Sequence, residues 1–390
     1  MVRLEQILSD TITGEWGQEC TGGFGVKVLR TTNFTNEGIL DFSNVVVREI
    51  SANKVEKKKL LPCDIILEKS GGSDNQPVGR VVYFNKIDDV FLCNNFTQIL
   101  RVNSQVAVPK YVFYHLFNLH KIGVTELLQN QTTGIRNLQI KNYMTLQIPL
   151  PPLHIQNKIA EVLNHINHLI EKRKEQIKKL DLLVKTLFVA LFGDPVTNPM
   201  MWEVKRIDEI AMSRLGKMLD AKQQTGKEEY PYLANFNVQW FRFNLDTLNM
   251  MDFNEADRQE FALNYGDLLI CEGGEVGRTA IWKEELSDCF FQKAVHRVRC
   301  NLDLCIPEYL AWVMYFKATM TQFDGIVTGV TIAHLTGEKL KTLKIQLPPL
   351  PLQTRFASIV QQVDKTKFVM QEGLKKLELA HKALMQQYFG

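Results

Sequence analysis

The 390-residue chain is short of paired cysteines: Cys20, Cys63, Cys93, Cys271, Cys289, Cys300 and Cys305 are scattered, odd in number and never form a Cys-x-x-Cys pair. That excludes a disulfide framework or a zinc finger as organising principle and predicts a reducing, cytoplasmic setting with no structural metal. Charge of one sign is scarce too. Lys and Arg number 46 against 43 Asp and Glu, a formal charge of +3, so nucleic-acid binding has to rest on local basic patches and not on a global polycation. Charge-free apolar stretches such as residues 186–192 are far below the ~18 residues of a membrane helix, and MVRLEQILSD lacks the basic-then-apolar layout of a signal peptide. The expectation is a protein that neither spans nor crosses a membrane.

Catalytic constellations are also missing. An adenine- or cytosine-type amino-methyltransferase needs Asp or Asn before Pro-Pro-Tyr/Phe, but Pro-Pro occurs only within Leu-Pro-Pro-Leu. Asp64 with Glu68 and Lys69 comes near a nuclease pattern, yet Glu and Lys are adjacent and the matching positions around Asp267 end in Glu272-Gly273. Both aspartates read as turn residues entering a strand. Glycine strings lack the Lys-Ser/Thr of a phosphate loop, and the eight histidines form no ligand-spaced cluster.

What is present is a repeat. Residues 148–153 read IPLPPL and 345–350 read IQLPPL, and the match of 146–193 to 343–390 runs without a gap, with seventeen identities in 48 positions. Ahead of these blocks the match is looser: Asp64-Ile65-Ile66 faces Asp267-Leu268-Leu269, Val78-Gly79-Arg80 faces Val276-Gly277-Arg278, and Pro109-Lys110-Tyr111 faces Pro307-Glu308-Tyr309. Each half is a divergent body of about 150 residues followed by a better-kept block of about 45.

In the kept blocks apolar side chains recur at Ile155, Ile159, Val162, Ile166, Leu169, Leu180, Leu183 and Leu187, and again at Leu352, Phe356, Ile359, Val363, Met370, Leu377, Ala380 and Leu384. This is a coiled-coil seam. Proline in the first turn and glycine at the end bound each helix at about 36 residues, roughly 55 Å. Each helix needs a partner for its seam, and the expectation is that the two pack antiparallel with the bodies at opposite ends. The charged run 171–179 reads as a solvated face. The bodies show short β-type runs at 26–29, 65–67, 81–84, 99–102, 268–270, 279–282 and 295–299, with helices at 111–119 and 308–315. The fold class is α+β: two α/β domains, 1–149 and 194–346, joined by two long antiparallel coiled-coil helices, 150–193 and 347–390, with a pseudo-twofold internal repeat.

Polar, glycine-punctuated loop strings in the bodies carry the residue types that read base edges or hold phosphates. The candidates for DNA contact are Arg30, Thr31, Thr32, Asn33, Gly71, Gly72, Ser73, Arg80, Thr133, Arg136 and Asn137 in the first body. In the second they are Asn235, Asn237, Gln239, Gly273, Gly274, Arg278, Lys293, His296, Thr328 and Thr331. Exposed Asn and Thr also simply make turns. The helix ends Phe188, Leu191, Phe192, Tyr388 and Phe389 are candidates for partner docking or for packing against the bodies.

Two divergent bodies, each closed by Leu-Pro-Pro-Leu-x-x-Gln (Leu150 to Gln156, Leu347 to Gln353) and a long helix ending in Phe-Gly, closely resemble the specificity subunit of type I restriction-modification systems. The departure is Ile155 and Leu352 where many members carry Glu before that Gln. The resemblance implies a non-catalytic reader of double-stranded DNA. Each target recognition domain would bind half of an asymmetric bipartite site. The helices would set the spacer and dock two methyltransferase subunits, with restriction subunits in the full complex. S-adenosylmethionine, ATP and Mg would belong to those partners, with no cofactor in this chain. A self-contained methyltransferase or nuclease, or a duplicated coiled-coil scaffold without nucleic-acid affinity, are the alternatives.

Overall fold

The computed structural model describes residues 1–20, 25–73, 75–132, 135–195, 197–220, 224–320 and 334–390. The chain forms two compact units, Met1–Lys174 with Gly373–Gly390, and Glu175–Glu372. Four helices recur below: α1 (Pro109–Lys121), α2 (Leu153–Phe192), α3 (Pro307–Thr319) and α4 (Leu350–Phe389). The long pair, α2 and α4, have 40 residues each, roughly 60 Å at 1.5 Å per residue. Each unit holds one body, the starting half of one long helix and the finishing half of the other.

In the first unit β1 (Leu8–Thr13), β2 (Ile65–Glu68), β3 (Val81–Tyr83) and β4 (Thr97–Val102) form an antiparallel sheet in the order β1-β4-β2-β3. The alternation of β2 serves two cores at once. Ile65 and Leu67 join Leu100, Tyr111 and Leu116 of the α1 side, while Ile66 joins Phe84, Phe91 and Ile99 on the other face. Burial on both faces is why this strand reads as a continuous apolar run. The second unit repeats the plan with β5 (Ala211–Leu215), β6 (Leu268–Cys271), β7 (Thr279–Ile281) and β8 (Val295–Cys300) in the order β5-β8-β6-β7. Leu268 and Ile270 face the α3 core, and Leu269 and Cys271 face Phe253 and Phe291.

The repeated glutamine explains why the rod start is kept. Gln156 is 1% exposed; its Oε1 accepts from Val108 N–H at 2.8 Å and its Nε2 donates to Pro151 O at 2.7 Å. Gln353, wholly buried, accepts from Ile306 N–H at 2.9 Å and donates to Pro348 O at 2.8 Å and Leu304 O at 3.1 Å. Val108 and Ile306 are the residues just before α1 and α3, so one amide ties a body helix to the rod start and satisfies backbone groups that neither helix end can satisfy internally. Tyr111 and Tyr309 add a second tie, their hydroxyls donating to Pro149 O at 2.9 Å and Gln346 O at 2.7 Å. The expected helix-start glutamate is not needed for this contact.

Within each unit the two long helices run antiparallel. In the first, Ala160 and Leu163 of α2 share a core with Met385 and Phe389 of α4, and Lys174 lies 3.8 Å from Glu378. In the second, Phe188 and Phe192 of α2 meet Phe356 of α4 with ring centroids 5.5 and 5.4 Å apart, and Lys367 pairs with Asp181. The seam differs from the expected one. Leu169 and Leu183 are 38% and 51% exposed, whereas Ile170 and Val184 are 7% and 4% exposed. The helix packs against the body as well as its partner rod, so the buried face is wider than a two-stranded seam and turned toward Gln156 and Ala160. His165 and His168 are exposed.

Replacing Gln156 or Gln353 by Ala leaves a buried N–H and carbonyl unpaired. Each change should lower unfolding free energy by about 1–3 kcal/mol, read as a reduced urea midpoint at unchanged m-value.

Candidate nucleic-acid interface

The loops that carry the polar strings are held by their own side chains. Asn33 and Asn237 are 3% and 0% exposed. Asn33 Oδ1 accepts from Arg30 N–H at 2.8 Å, and its Nδ2 donates to the carbonyls of Asp41 and Asn44 at 2.9 and 3.1 Å. Asn237 does the same with Ala234 N–H and the carbonyls of Asn244 and Thr247, all at 2.9 Å. Arg80, buried, makes a bidentate pair with Glu68 at 2.7 and 2.8 Å and donates to Phe34 O and Thr31 O at 3.1 Å. Arg278 likewise donates to Asn235 O and to Glu275, each at 2.8 Å. In both bodies the arginine of Val-Gly-Arg thus fastens the loop of the asparagine.

This corrects the sequence expectation for five residues. Asn33, Arg80, Asn237 and Arg278 are engaged internally. His296 is 1% exposed, with Nε2 3.0 Å from Leu335 O and burial holding its imidazole below the ordinary range. Irregular backbone lacks ladder hydrogen bonds, so side chains of base-reading type are used up in supplying them. Gly71 and Gly274 have φ of +99° and +77°, the left-handed region that favours glycine. Gly72 and Gly273 are buried; a Cβ on Gly72 would stand 2.7 Å from Gln76 O.

What these frames present is a shorter set. Thr32, Ser73 and Lys293 are exposed; Arg30, Thr31, Arg136, Asn137, Asn235 and Gln239 are half-buried. Of these, Asn137 accepts from Ser70 Oγ, and Gln239 donates to Phe236 O at 2.8 Å. Thr133, Thr328 and Thr331 lie outside the described residues. Two aromatic residues escaped the sequence reading. Phe96 and Phe236 are 45% and 44% exposed on these loops, one beside Gly71 and the other between Asn235 and Asn237. Phenylalanine within an asparagine string was the available signal, and an exposed ring is able to stack on or wedge between bases.

The acidic pairs have structural work. Asp64 and Asp267, each 1% exposed, accept from Leu61 and Asn264 N–H at 2.7 Å. They also pair with Arg101 at 2.9 and 2.8 Å and with Arg299 at 2.7 Å. Among the described residues no group of three His, Cys, Asp or Glu is placed to hold a metal ion, and no helix is long and apolar enough to cross a membrane. The expected docking ends are core instead. Phe188, Phe192 and Phe389 are 0%, 1% and 8% exposed, while Leu191 and Tyr388 pack at the edges of the same cores.

Two bodies of one topology, fastened by the same ties to repeated helices but bearing different loop surfaces, define a duplicated recognition module. The family described as type I restriction modification DNA specificity domain matches twice, over residues 21–179 and 199–379, so the chain belongs to that family. It is 21% identical to the type I restriction enzyme EcoKI specificity subunit of Escherichia coli K12, covering 87% of this chain and 75% of that one. It is 23% identical to the type I restriction enzyme MjaVIII specificity subunit of Methanocaldococcus jannaschii, covering 73% and 70%. The crystal structure of a type I restriction-modification S subunit from M. genitalium superposes with TM-score 0.62 at 15% identity, covering 100% and 95% of the two chains. A chain from a type I system solved for its complex assembly and conformational transition gives 0.58 at 17%, covering 100% and 96%. Both share the fold.

Arg80→Leu strands the buried Glu68 carboxylate. It should cost about 3–5 kcal/mol of stability, and the double change Arg80→Leu with Glu68→Leu should recover part of that loss in chemical denaturation, a coupling expected of a structural pair.

Proposed function

We propose that the chain is the sequence-reading subunit of a type I restriction-modification complex. The observation that carries this reading is the repeated tie: Gln156 and Gln353 fix two bodies of equal topology to equivalent points on two like helices, while the loops above them differ residue by residue. Equal mechanics with unequal loops suits a protein whose two bodies each read one half of an asymmetric site, as a twofold dimer reads two equal half-sites. The long helices then act as a ruler between half-sites and as the framework for two methyltransferase subunits.

The chemistry belongs to those partners in this reading. They bind S-adenosylmethionine, restriction subunits use ATP and Mg, and this chain, itself non-catalytic, works in the cytoplasm beside DNA. With a net charge of only +3, duplex affinity comes from local contacts and falls as salt rises.

Exchange of residues 1–149 for those of a relative should change one half of the methylated sequence and leave the other intact; methylation mapping in cells carrying the complete system reads this, and change in both halves would refute separate reading. Inserting one helical turn between Leu169 and Leu180 should lengthen the unread interval in the same assay, whereas an unchanged interval removes the ruler.

A further inference from the structure

The repeat supplies a control inside the chain, because each side chain of one unit can be set against the one that holds the same place in the other. The body helices align from Lys110 with Glu308 to Asn118 with Phe316, and the ungapped rods pair Asn164 with Gln361 and His381 with Val184. In the second unit the fold itself satisfies these positions. Glu308 accepts from Gln361 Nε2 at 2.8 Å. Phe316 stacks on Phe188 with ring centroids 4.8 Å apart, and Val184 is buried.

In the first unit the same positions are polar and unspent. Lys110 is a largely desolvated ammonium over the rings of Tyr83, Phe113 and Tyr114, pushed down to about 8 by burial; among the described residues no carboxylate pairs with it. Asn164 accepts from the Tyr114 hydroxyl at 2.7 Å through Oδ1, which leaves its Nδ2 to donate elsewhere. Asn118 is 6% exposed, yet its Nδ2 has no protein partner among the described residues, and nor has the buried Nε2 of His381. Burial holds that imidazole below its ordinary range, so it is neutral near pH 7.

All four residues line one cavity of about 790 Å³ that lies within the first unit, between α1 and the two rods, with Phe113 and Phe117 in its wall. Of the carboxylates that reach it, Glu171 and Glu378 share Lys174 at 3.9 and 3.8 Å, and Glu37 is exposed. A buried amide without a partner is costly, and Phe316 with Val184 shows that folding does not require polar groups at these two places. Unspent donors on an aromatic wall suit an anion with an apolar body. Lys110 and Asn118 stand eight residues apart on α1, roughly 12 Å along the helix, so the polar groups fall at two ends.

We infer that this cavity binds a small elongated carboxylate, its acid group at Lys110 and Asn164, its apolar body against Phe113 and Phe117, and a hydroxyl at Asn118 and His381. The acid group takes the part that Glu308 plays toward Gln361 in the second unit. The hydroxyl accepts from Asn118 Nδ2 and donates to Nε2 of the neutral imidazole. Because such a ligand touches α1 and both rods, it stabilises the folded unit by mass action.

The probe is 6-hydroxy-2-naphthoate, titrated into the full chain by calorimetry. It should bind one molecule per chain and raise the urea midpoint. 2-Naphthol, which lacks the acid, should bind at least about tenfold more weakly, and 2-naphthoate, which lacks the hydroxyl, several-fold more weakly. Lys110→Met should weaken the probe about tenfold or more, whereas Glu308→Gln in the second unit should leave its affinity unchanged. Asn118→Leu keeps the volume and removes the donor; it should weaken the probe while the urea midpoint of the free chain holds or rises. No saturable binding by ~1 mM, equal affinity for 2-naphthol, or undiminished affinity in Lys110→Met overturns the inference. So does an Asn118→Leu chain of lower midpoint and full affinity, because that amide then serves the fold.

Discussion

Gln156 and Gln353 sit where three stretches of chain meet, and each has a single amide to join them: a body helix start, the loop before the rod and the rod itself. Both amides are wholly enclosed, so their hydrogen bonds act in a low-dielectric setting where an unpaired group is costly. This joint ties each body to the start of its rod, alongside the apolar core that the two share. Tyr111 and Tyr309 brace it from the next turn, and proline at the first position of α1 and α3 sets the helix start without wasting an N–H.

The same economy appears in the loops. Asn33 with Asn237, Arg80 with Arg278, and Asp64 with Asp267 are pairs related by the repeat, and each pair makes closely related internal contacts in its own unit. Residues kept between the two halves are the ones that hold loops in shape, whereas Thr32, Ser73 and Lys293 reach solvent.

The rods illustrate a second division of labour. Their buried face is shared between the opposite rod and the adjoining body, so large apolar groups concentrate at Phe188, Phe192, Phe356 and Phe389. Their outward face is open to solvent and carries ion pairs along the helix, such as Lys179 with Glu175.

The duplication, the helix bounds to within a few residues, the β-strand runs and the family were all legible in the sequence, because prolines, apolar periodicity and an ungapped repeat are local signals. The internal engagement of Asn33, Arg80, Asn237 and His296 was not, since hydrogen-bond partners such as Glu68, Asn44 and Leu335 lie farther along the chain. Nor was the true seam: residue spacing reports that a helix has an apolar side, but which side is buried, and that Ile170 and Val184 win over Leu169 and Leu183, depends on where a body and a second helix press against it. Local chemistry chose the elements, and only packing decided which of their side chains remained available for work.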